Sequence, residues 1–157
     1  FLRIQSRAFM FTAAAVPAAI GAALGALRII RSAEGRELME RVLDNARYLH
    51  RGLAELGYRV NEPTVLPDGS TLVTPIVPVI VGDDWRAALL WKALYDAGVY
   101  VNVALFPAVP RGHALLRTSV MATHTREHLD RALEAFERVR DRTEDDPAPS
   151  ALTAGGS

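Results

Sequence analysis

Arg117, in the stretch "ALLRTSVMA", is the residue whose type and setting point most directly to chemistry. Alternation along a strand places it on one face among apolar and small side chains, where a guanidinium needs an anionic partner. One reading is a bidentate clamp for a ligand carboxylate, which the planar fork suits better than an ammonium would. The other is a strand-face ion pair with a nearby Asp or Glu, and the residues alone leave both open. Asn102, in "YVNVA", sits among β-formers where Asn is disfavoured, so it either faces a ligand or bonds a neighbouring loop. Thr12 follows two aromatics and precedes a helix start at Pro17, a place where a hydroxyl meets an anion or caps the backbone.

Other chemistries find no support in the residues. His50, His113, His124 and His128 do not form a zinc pattern; the last two are four apart, but Thr125 begins a helix between them. There is no Gly-rich phosphate loop, nucleophile elbow or convincing acid pair, so neither a metal nor a catalytic residue is assigned. The absence of Cys excludes disulfides, Cys-ligated metals and thiol nucleophiles, and fits a reducing cytoplasm. The one lysine, Lys92, lies on an amphipathic helix.

The elements that must position these residues belong to a chain of 157 residues with a formal net charge of zero. That is one domain's worth of chain, with no charge excess to steer it toward nucleic acid or an anionic membrane. The run from Ala8 to Leu27 is uncharged and near bilayer length, but it is mostly Ala and Gly and is interrupted by Pro17. It therefore reads as a short extended piece, "AFMFTAAA", followed by a helix beginning near Val16 whose small residues admit another backbone, and not as a transmembrane segment. The start at Phe1, without a signal-peptide pattern, reads as a fragment of a longer protein.

Further along, Leu38, Val42, Leu49, Leu53 and Leu56 mark the apolar face of a helix over Ala33 to Leu56, stopped by Gly57. This stretch and the one before it are candidates for one long bent helix. "GYRVNEP" predicts a short strand, "LPDGS" a turn, and "TLVTPIVPVIVG" a β segment whose Pro75 and Pro78 favour an edge or a bulge. "DDWRAALLWKALYDAG" predicts a helix capped by Asp83 or Asp84 and ended by Gly98. "VYVNVALF" and "ALLRTSVMA" are strands joined by "PAVPRGH", and Thr125 caps a last helix burying Leu129, Ala132, Leu133, Phe136 and Val139. "DRTEDDPAPSALTAGGS" has the composition of a disordered tail. The order predicts an α+β class: a small, mostly antiparallel sheet covered by helices on one side.

At "GVYVNVALFPAVPRGHALLRTSVMATHT", Gly98 to Thr125, the chain resembles the C-terminal domain of the α-oxoamine synthases, pyridoxal-phosphate enzymes of fold type I. "RAFMFTAAAVPAAIGAAL" resembles the family's element just after the large cofactor domain, and the resemblance covers Phe1 to about Arg140. It implies four segments: residues 1–15 ending the large domain, 16–56 linking, 57–142 forming the small domain, and 143–157 as tail. It also implies a PLP-dependent condensation of an amino acid with an acyl-CoA thioester, with decarboxylation, in a cytoplasmic homodimer.

By the same resemblance Arg117 binds the amino-acid carboxylate, Thr12 contacts the cofactor phosphate of the neighbouring subunit, and Asn102 lines the acyl-substrate entry. The Schiff-base lysine belongs upstream of Phe1; Lys92 matches no lysine motif of the family, so this piece alone is expected to be inactive. "LLR-[TC]-S" and "MATHT" resemble serine palmitoyltransferase-type sequences, whereas Leu105, Phe106 and Pro107 stand where such enzymes and oxononanoate synthases often read R-P-P. Oxononanoate synthase and glycine C-acetyltransferase chemistry are the close alternatives, with an aminotransferase or a non-catalytic partner subunit more distant.

Overall fold

The structure, a computed structural model, describes residues 1–7, 15–62, 64–69 and 71–140. The expected extended piece with Thr12 and the expected tail lie outside the described residues. The chain divides into two units, residues 1–38 and 39–157.

In the first unit, a single turn, α1 (Leu2–Gln5), precedes α2 (Pro17–Ile30). Pro17 occupies the first helical position, where a missing N–H breaks no intrahelical bond. Two helices replace the single bent one considered from the sequence, because Ser32 starts α3 (Ala33–Glu55) afresh. Its Oγ accepts from the Gly35 N–H at 3.2 Å and donates to the Ile29 carbonyl at 2.6 Å. The join is so tight that a Cβ on Gly35 would overlap the backbone carbonyl of Ile29.

The second unit is built on a three-stranded antiparallel sheet ordered β3 (Ile76–Gly82), β5 (Ala114–Ser119), β4 (Asn102–Ala104). β5 is the centre strand, although it comes last in the chain. The prolines behave as expected: β3 is an edge of this sheet, and its pairing with β5 is irregular between Ile80 and Gly82. The predicted "GYRVNEP" strand shrinks to a bridge of Val60 with Val79, plus an Ile80 N–H bond to the Arg59 carbonyl, on the outer edge of β3. Its last residues instead lead into a small hairpin, β1 (Thr64–Val65) with β2 (Thr71–Leu72). The turn falls at Leu66 to Gly69, where Pro67 and Asp68 hold the central positions and Gly69 has a φ of +80°.

One face of the sheet carries the core. Val77, Val79, Leu116 and Thr118 point inward and meet Leu49 and Leu53 of α3, Leu90 and Leu94 of α4 (Asp84–Asp96), and Leu129 and Phe136 of α5 (Arg126–Arg140). Asp83 caps α4 by accepting from the Arg86 N–H at 2.8 Å, and Thr125 Oγ1 accepts from the His128 N–H at 3.4 Å ahead of α5. Gly57 and Gly98, both at positive φ, end α3 and α4; the following N–H groups reach back to the Leu53 and Leu94 carbonyls. The α+β class and the one-sided helical cover expected from the sequence are what the structure shows. Among the described residues, no helix is long and apolar enough to cross a membrane.

Candidate functional site

Alternation along β5 buries Leu116 and Thr118 and leaves Arg117 and Ser119 exposed on the opposite face. Thr118 is tolerated inside because its Oγ1 donates to the Val77 carbonyl at 2.6 Å. Register places Asn102 of β4 directly opposite Arg117 on one side and Pro78 of β3 directly opposite on the other. The structure thus brings together two residues that the sequence presents fifteen positions apart. Among the described residues Arg117 makes no ion pair, so the strand-face pairing considered from the sequence is absent there. Asn102 accepts from the Tyr100 hydroxyl at 3.3 Å, and the Trp91 indole N–H holds the adjacent Val101 carbonyl at 3.1 Å.

The loop after β5 is pinned by a residue that the sequence reading missed. Asn45 of α3 is 5 % exposed, and its Nδ2 donates to the Met121 carbonyl at 3.0 Å and the His124 carbonyl at 2.8 Å. The signal was present, since Asn45 falls between Val42 and Leu49 on the apolar face of its helix, where a polar side chain needs partners. His124 Nδ1 accepts from the Met121 N–H and His128 Nδ1 from the Thr125 N–H, each at 3.2 Å, so both rings brace the same loop. A second unforeseen cluster joins α3 to α5: the Tyr48 hydroxyl donates to Asp130, and the Arg126 guanidinium lies 3.7 Å from the Tyr48 ring centroid. The hydrogen bond to the Asp130 carboxylate raises the Tyr48 pKa above its ordinary value.

In the loop before β5, the Arg111 guanidinium lies 4.3 Å from the Phe106 ring centroid, and the Phe106–Pro107 peptide is cis. Lys92 lies on an exposed turn of α4 with Nζ 2.5 and 2.6 Å from the Asp96 carboxylate oxygens. The chain's one lysine is therefore engaged by Asp96. What the described residues do offer is an exposed guanidinium with a side-chain amide beside it, a fit for a carboxylate.

The family model for aminotransferase class I and II matches residues 1–136. The chain belongs to this family. Its relatives within the aminotransferase class I and II family are α-oxoamine synthases, as the motifs around Arg117 led us to expect. It is 42 % identical over 135 residues to the 8-amino-7-oxononanoate synthase/2-amino-3-ketobutyrate coenzyme A ligase of Thermus thermophilus, covering 86 % of this chain and 31 % of that one. With the 8-amino-7-oxononanoate synthase of Thermoanaerobacter pseudethanolicus the identity is 37 % over 139 residues, covering 88 % and 32 %. Among solved structures, the Sphingomonas wittichii serine palmitoyltransferase superposes with a TM-score of 0.76 at 34 % identity, covering 93 % of this chain and 34 % of that one. An SPT solved with PLP gives 0.77 at 34 %, with 90 % and 33 % covered. The chain spans about a third of the length of the curated relatives it matches.

Proposed function

We propose that the protein to which this chain belongs is a PLP-dependent C-acyltransferase that condenses an amino acid with an acyl-CoA thioester, with decarboxylation, in the manner of a serine palmitoyltransferase. The observation that carries the reading is Arg117: a guanidinium without an acidic partner among the described residues, on an open sheet face, in an oxoamine-synthase relative. In this reading its planar fork holds the amino-acid carboxylate by two parallel N–H···O bonds and so orients the α-carbon. Asn102, directly across the ladder, lines the entry of the acyl substrate.

Pyridoxal phosphate supplies the electron sink for such carbon–carbon chemistry. Its lysine comes from outside these 157 residues, and the piece alone is inactive. Thr12, outside the described residues, contacts the cofactor phosphate of the neighbouring subunit in a cytoplasmic homodimer. Residues 1–15 end the large domain, 16–56 link, 57–142 form the small domain and 143–157 the tail.

The second reading is 8-amino-7-oxononanoate synthase, favoured by the names of the sequence relatives at 37 % and 42 % identity. One experiment separates them. The full-length protein with its cofactor is given L-serine, glycine or L-alanine together with short-chain, long-chain and dicarboxylate-derived acyl-CoAs, and thiol release is followed. Release that needs both partners establishes the class. Serine with a long chain supports the first reading and alanine with a dicarboxylate-derived thioester the second. Cofactor spectra that respond to the amino acid without thiol release overturn both.

A further inference from the structure

A cleft of about 530 Å³ opens between α3, the β1–β2 hairpin and the start of β3, with Arg126 at its rim. Its charge is lopsided. Arg47, Arg51 and Arg126 line it against one carboxylate, Asp44, in a chain whose formal net charge is zero. Asp44 already pairs with Arg47 at 2.7 Å, and among the described residues Arg51 and Arg126 have no acidic partner. Arg126 is held in place nonetheless by its stacking on Tyr48.

Neutral donors complete the lining. Thr64 and Thr71 come from the hairpin, and Thr74, whose Oγ1 already donates to the Ile76 carbonyl at 3.0 Å, comes from the approach to β3. The His50 Nε2–H donates to the Asn61 carbonyl at 2.8 Å, which ties α3 to the chain entering the hairpin. Leu72, Ile76 and Val77 give the remaining wall an apolar stretch.

We infer that this cleft binds an organic phosphate. A carboxylate has two coplanar oxygens and is satisfied by one guanidinium fork, whereas a phosphate presents three acceptor oxygens in a tetrahedron. Donor-bearing residues line the cleft from three elements, α3, the hairpin and the start of α5, more than the single fork that a carboxylate needs. The volume exceeds what an inorganic ion fills and lies in the range of small-molecule sites, so the phosphate carries an organic body that lies on the apolar wall. That chemistry is shared by the phosphorylated tail of a coenzyme A thioester and by a free nucleotide.

The test is calorimetric titration of the full-length protein at low salt with coenzyme A, AMP and, as the carboxylate control, glutarate. Binding of AMP or coenzyme A that weakens at least about tenfold in the Arg51→Gln/Arg126→Gln double variant, with Arg86→Gln unaffected, is the expected result. Weakening for coenzyme A with no AMP binding assigns the cleft to the thioester tail, and weakening for both assigns it to phosphates generally. No phosphate binding, equal affinities in parent and double variant, or glutarate binding as tightly as the phosphates overturns the inference. Coenzyme A that binds equally to parent and double variant leaves the acyltransferase reading standing while removing this one. Far-ultraviolet circular dichroism of the double variant confirms that the fold is kept.

Discussion

Asn102 and Arg117 face each other across the β4–β5 ladder on the sheet face away from the helical core. Neither residue is held by an acidic side chain among the described residues, and Asn102 is steadied by Tyr100. The pair is thus a polar notch on an open surface, available to a ligand.

Truncating the guanidinium tests that availability. On the proposed reading, in which the bound amino acid and the rest of the full-length protein desolvate the clamp, Arg117→Ala weakens amino-acid binding by about 2–5 kcal/mol. Arg117→Lys does not restore it, because a point charge cannot reproduce the fork. Amino-acid titrations read this directly, and an unchanged affinity removes Arg117 from the site. Thermal stability stays near the parent value, since Arg117 is exposed.

Asn45→Leu has the opposite profile. It strands the Met121 and His124 carbonyls that the buried amide now satisfies, and destabilises the protein by about 1–3 kcal/mol in urea unfolding. Amide exchange at Met121 to Thr125 rises with it. A variant as stable as the parent shows that water replaces the amide.

Gly52→Ala probes the approach of α3 to α5. A Cβ at this position meets the terminal methyls of the half-buried Leu133, which must shift off their present rotamer at about 0.5–1.5 kcal/mol, so the net loss after the better helix propensity of Ala is small. Adding Leu133→Ala relieves the clash. Chemical unfolding of both single variants and the double shows a favourable coupling, whereas simple additivity contradicts the overlap.

Tyr48 sets an alkaline limit. Its hydroxyl donates to the Asp130 carboxylate, which holds the proton more tightly in the folded protein and raises the folded pKa above the unfolded value of 10.0. The stabilisation is therefore fully present below pH 10.0 and is lost as pH rises through the raised value. Thermal midpoints followed upward from about pH 9 fall more steeply in the parent than in Tyr48→Phe. Parallel curves contradict the assignment.

Much of this organisation is legible in the sequence because it is local. Asp83 and Thr125 mark helix starts through a side-chain oxygen three residues before an amide, and Gly57 and Gly98 mark stops through a φ that few other residues adopt. Pro75 and Pro78 point to an edge because a ladder needs N–H groups that they lack. What stays hidden is non-local. That β5 lies between β3 and β4, and so brings Asn102 to Arg117, depends on pairings between segments far apart in the chain. "GYRVNEP" fails as a strand for the same reason: its alternation is adequate, but the edge of β3 offers Val60 a single bridge. The candidate clamp at Arg117 is visible as an oddity of composition, whereas its lack of an acidic partner among the described residues needs the fold.

The central place of β5 has a thermodynamic consequence. A strand hydrogen-bonded on both sides has little backbone freedom left to lose, so when a ligand meets Arg117 only the side-chain torsions remain to be frozen. Those torsions represent about 2 kcal/mol of rotamer entropy, less than the cost of ordering a loop of several residues. A ligand that docks on Arg117, as proposed, would therefore meet a backbone already ordered by folding.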